Sequence, residues 1–75
     1  MLIYEGNGFK VFHTRTCSGK HMIDVVKKDG DAGFYAVRPN LKDAFDDMWE
    51  WNFSWVETPP HLKQKIWELC CESNL

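Results

Sequence analysis

The chain has 75 residues, 44% of them apolar and 15% aromatic. That bounds it to one small domain, too apolar to stay disordered and too short to enclose a deep substrate cleft beside its core. The formal net charge of −2 argues against general affinity for nucleic acid, and no run of about 18 apolar residues is available to span a membrane. The opening Met1-Leu2-Ile3-Tyr4-Glu5 lacks the basic and long apolar regions of a secretion signal. The three cysteines are odd in number, and Cys70 and Cys71 are adjacent. Reduced thiols in a cytoplasm are therefore the expectation.

The first half, 1–38, reads as a β-meander. Leu2-Ile3-Tyr4 forms a first short strand, and Asn7-Gly8 is a strong hairpin signal because both turn positions favour positive φ. Phe9 to Thr16 is a second strand, Ser18-Gly19 a two-residue turn, and His21 to Lys28 a third strand rich in Ile and Val. Asp29-Gly30 marks another turn, and Gly33 to Arg38 a fourth strand. Turns spaced this closely leave no room for a crossover, so the sheet should be antiparallel.

The second half, 40–73, reads as two helices. Pro39 stops the strand. Asn40 is an N-cap, with Asp43 at the third helical position, where a carboxylate suits the exposed amides. Leu41, Ala44, Phe45, Met48 and Trp49 recur at helical spacing, and the helix should end near Trp51. Thr58 caps the second helix, with Pro59 in its first position and a stripe of Leu62, Ile66, Leu69 and Cys70. The joining segment carries Phe53 and Trp55, too apolar for an idle loop. The expected fold class is α+β: an antiparallel meander of three to four strands followed by two α-helices on one of its faces, all within a single domain spanning 1–75.

Charge is unevenly placed. Residues 1–38 hold six basic and four acidic side chains, a net of +2, and residues 39–75 hold three and seven, a net of −4. The first helix concentrates the acid: Asp43, Asp46, Asp47 and Glu50, at i, i+3, i+4 and i+7, fall on one arc opposite the apolar stripe, with Lys42 at its edge. Like charges at this spacing repel by a few tenths of a kcal/mol per pair. Two readings compete: an ordinary solvated face, or a surface shaped to meet a basic partner, roughly imitating a phosphate backbone. Trp51 is expected in the core, and Trp55 either in the core or as an interface anchor. The candidate partner-binding residues are therefore Asp43, Asp46, Asp47, Glu50 and Trp55.

Rival chemistries are weaker. His13, Cys17 and His21 invite a zinc reading. On a two-residue turn at Ser18-Gly19, however, Cys17 pairs with Lys20 and His21 points away from His13, so no metal is expected. No Asp-x-Asp-x-Asp-Gly loop exists for calcium. No nucleophile–base motif supports catalysis, and no cofactor is implied. Phe9, Phe12, Phe34 and Tyr35 among Lys10, Arg15, Lys20, Lys27 and Lys28 offer the ingredients of single-strand nucleic-acid binding, although most of these rings are expected in the core. The expectation is a cytoplasmic, non-enzymatic module that occupies the surface of a larger basic protein, itself a candidate nucleic-acid binder. Small acidic single-domain proteins of this style are common among phage-encoded inhibitors, anti-CRISPR proteins included. That likeness is one of size and charge alone.

Overall fold

A computed structural model describes residues 1–6, 8–27, 33–53 and 60–73. Four strands, β1 (Leu2–Gly6), β2 (Phe9–Arg15), β3 (His21–Lys27) and β4 (Ala36–Arg38), are followed by helices α1 (Leu41–Phe53) and α2 (Pro60–Glu72). The strands form one antiparallel sheet in the order β1-β2-β3-β4. This is the α+β meander with two helices that the sequence leads one to expect. α1 lies against β3 and β4, and α2 reaches β1.

Burial along β2 and β3 shows which sheet face is covered. Val11, His13, Ile23 and Val25 are buried while their alternate neighbours Lys10, Thr14 and Val26 are exposed. Val11 pairs with Val25, and His13 with Ile23. Val11, Ile23 and Val25 meet Ala44, Phe45, Met48, Trp49 and Phe53 of α1 and Leu62, Ile66 and Cys70 of α2 in one core. The aromatic residues form a run through it. Tyr4 meets Phe9, Phe9 meets Phe53, Phe53 meets Trp49, Trp49 meets Phe45 and Phe45 meets Trp67, with ring centroids 4.4 to 5.9 Å apart. Large rings are how so short a chain fills its interior.

Local signals act as read at the start of α1. The Asn40 side-chain carbonyl accepts the Lys42 amide at 2.9 Å, and its backbone carbonyl accepts Ala44 N–H at 3.0 Å. The helix continues past Trp51 to Phe53, whose ring is buried rather than in a loop. Thr58, Pro59 and the Asp29-Gly30 turn lie outside the described residues, as does Asn7. Gly8 has φ 87°, and Gly6 pairs with Phe9, which leaves two residues between the strands.

The β2–β3 turn differs from expectation, with consequences for every side chain near it. Arg15, not Thr16, pairs with His21. Thr16 N–H donates to the Lys20 carbonyl at 2.9 Å, and Gly19 N–H to the Thr16 carbonyl at 2.9 Å. The turn is thus three residues, Cys17 to Gly19, with Gly19 at φ 83° in the left-handed region. Thr16 Oγ1 accepts Lys20 N–H at 3.0 Å and favours this longer turn. One residue of register exchanges the two sheet faces, so His13 and His21 share a face.

Candidate functional site

β4 is shorter than the six-residue strand expected from Gly33 to Arg38, and the cause is a side chain on α1. Asn52, buried on the helix, reaches residues 33–35. Its Oδ1 accepts Phe34 N–H at 3.0 Å, and its Nδ2 donates to the Phe34 carbonyl at 2.8 Å and to the Met48 carbonyl at 2.8 Å. A primary amide here replaces a strand neighbour for Phe34. Gly33 makes this approach feasible: it donates N–H to the Val25 carbonyl at 2.9 Å, and a Cβ built on it would stand 2.6 Å from Asn52 Oδ1 and 3.0 Å from the Val25 carbonyl oxygen.

The clamp turns the Phe34 and Tyr35 side chains outward. Phe34 is 58% exposed and Tyr35 64% exposed. Trp51 is 54% exposed and lies against Phe34 at 5.6 Å between ring centroids. This corrects two expectations. Trp51 is not core; Trp49, two residues earlier and 8% exposed, is. Phe34 and Tyr35 are not core either. Two large exposed rings in contact at a protein surface, with the exposed Tyr35 next in sequence, are unlike a scatter of single apolar residues.

The acidic arc lies alongside. At about 100° per residue, Trp51 falls about 40° from Asp47 around α1, one helical turn on. The four carboxylates do not stand equal. Asp46 receives Lys42 Nζ on both oxygens at 2.8 and 2.9 Å, and Asp47 receives Arg38 Nε at 2.8 Å. The mutual repulsion expected along the arc is therefore relieved at two of its four positions from within the chain. Lys42, expected only at the edge, also sits 5.4 Å from the centroid of the Trp67 ring. Asp43 and Glu50 are exposed and form no ion pair among the described residues. Trp55, the remaining candidate, lies outside the described residues.

The histidines also depart from expectation. His13 Nε2 and His21 Nδ1 are 3.0 Å apart, with the rings stacked at 5.2 Å. Burial lowers both from the ordinary histidine value. For His13 the neighbouring His21, the Met1 amine and Arg15 add to the lowering, and for His21 Arg15 does. Cys17, in the turn, is exposed. Among the described residues no three His, Cys, Asp or Glu side chains are grouped to hold a metal ion. Cys70 is buried and its thiol is pushed up to about 12 by burial, with the adjacent Cys71 adding to the effect, so it is a core residue rather than a nucleophile. Among the described residues no helix is long and apolar enough to cross a membrane.

Comparison with known protein families, with curated proteins and with solved structures finds no match. The functional reading therefore rests on the surface itself.

Proposed function

We propose that the protein is a non-catalytic binding module, active in a cytoplasm, that occupies a basic surface of a larger protein. Its contact face joins the exposed Phe34–Trp51 pair to the acidic arc of α1. The supporting observation is that pair: rings more than half exposed, on a segment fixed by a buried amide, beside carboxylates free to receive cations. Interfaces draw most of their affinity from a few aromatic anchors, with charged groups around them setting encounter rate and orientation. Trp51 and Phe34 are the anchors in this account. Glu50 and Asp43 are the free carboxylates, and Asp46 and Asp47 exchange their internal cations for the partner's or remain paired. A groove that binds nucleic acid suits the arc's row of negative charge, and inhibition of such a protein is the expected consequence.

The exposed rings also favour a second reading, single-stranded nucleic acid stacking on them. Asp47 and Glu50 beside the rings oppose a phosphate backbone there. Capture from a lysate of the source cells, before and after nuclease treatment, separates the two. The proposal expects a basic protein that survives nuclease, is displaced by added nucleic acid, and is lost when the bait carries Trp51→Ala or Glu50→Lys. Retention by both folded variants contradicts it, and loss on nuclease treatment alone supports the nucleic-acid reading.

A further inference from the structure

At the turn end of the sheet, His13 on β2 and His21 on β3 touch through one ring nitrogen each, at 3.0 Å. A contact this short between two imidazole nitrogens needs one proton and one lone pair between them. When both rings are protonated, each of these nitrogens carries hydrogen, and two N–H groups would face one another in a site where His13 is only 6% exposed. We propose that the His13–His21 pair is an acid-sensitive latch, closed by a hydrogen bond between the rings near neutral pH and opened when both rings become imidazolium and both facing nitrogens carry hydrogen.

The surroundings make the second proton costly. Just before β1, the Met1 amine donates to the His13 carbonyl at 2.9 Å and brings positive charge. On β2, Arg15 is held beside the pair by its 2.9 Å hydrogen bond to the Gly19 carbonyl. On β4, Arg38 is the register partner of His21. From α1, Asp47 reaches this edge, but it is already engaged by Arg38 at 2.8 Å. α2 brings to the core the Cys70 thiol, which stays neutral until about 12. The charges acting on the pair are thus cationic, in line with the downward displacement of both histidines.

The sign follows from linkage. The unfolded chain takes up protons near 6.5, and the folded pair resists them to lower pH. Stability from the pair is full above about 6.5 and is lost as pH falls from there through the lower folded values. Opening would act first on the His13–Ile23 and Arg15–His21 pairings and on β4 at His21–Arg38. The opposite end, held by Asn52, has no titrating group in its clamp.

The test is a pH titration of the intact protein by imidazole NMR, with amide hydrogen exchange and melting followed over the same range, pH 7.5 to 4.5. Expected are ring midpoints for His13 and His21 below 6.5. Exchange protection at Ile23 should fall with acid by at least tenfold more than protection at Gly33. In His21→Gln, at least half of the acid-induced drop in melting temperature should disappear. Midpoints at or above 6.5 for both rings overturn the latch. So does equal loss of protection at Ile23 and Gly33, or an unchanged acid drop in a folded His21→Gln. If that variant does not fold, the NMR midpoints and exchange of the wild type decide alone.

Discussion

Two tryptophans two residues apart on α1 have opposite surroundings. Trp49 stacks against Phe45 and Phe53 in the core, whereas Trp51 lies open beside Phe34. The inner face of the helix is saturated: its rings are packed, and its one polar side chain, Asn52, has all its hydrogen bonds directed at backbone. The outer face holds an indole and two carboxylates, Asp43 and Glu50, that form no ion pair among the described residues. The contrast separates what the fold packs from what it leaves exposed along a single helix. What the fold requires is inside, and what is left over outside is available to a partner.

The largest expected effect sharpens the inner half of that contrast. Trp49→Ala removes a ring packed against two others and should cost about 3–5 kcal/mol, close to the whole stability of so small a domain. Thermal melting checks it; a loss below about 1 kcal/mol would place Trp49 outside the core. Next come the two sides of the clamp. Asn52→Ala strands the Phe34 amide and carbonyl and should cost about 1–3 kcal/mol. Gly33→Ala forces a methyl into a space 2.6 Å from Asn52 Oδ1 and should cost about 1–3 kcal/mol. Because the two residues touch, the double variant should cost clearly less than the sum of the single ones, whereas additive losses would show that the clamp and the glycine act independently.

The smallest stability effects belong to the outer face. Asp46→Ala breaks only an exposed i,i+4 pair and should change stability by about 0.5 kcal/mol or less, with still smaller changes at high salt. Asp43→Lys and Glu50→Lys should leave melting nearly unchanged while slowing association with a basic partner. A destabilisation of 2 kcal/mol or more at any of these positions would erase the distinction between the faces.

The sequence marked the periodic elements well, because each carries its own local signal: the Asn40 cap, the α1 stripe, the runs of β-branched residues. Features governed by distant residues were harder to read. The turn after β2 turned on one Thr16 hydroxyl, and the resulting single-residue register change brought His13 and His21 together when a two-residue turn had kept them apart. β4 lost its first half to Asn52, a residue whose helical position is consistent with burial but whose spacing names no partner. Trp51, expected in the core, at about 100° per residue falls about 80° from Asp43, on the flank of the polar arc. That angle was available from the sequence. The acidic arc itself was legible, but its neutralisation by Arg38 depended on where β4 ends.

The central claim is that the exposed rings beside the acidic arc form the partner face, and one measurement addresses it most directly. It is the affinity of the nuclease-resistant basic partner for Trp51→Ala, measured beside the melting temperature of that variant. The account predicts binding weaker by about 2 kcal/mol or more, roughly 30-fold, with melting nearly unchanged. Unchanged affinity in a normally folded Trp51→Ala protein would contradict it.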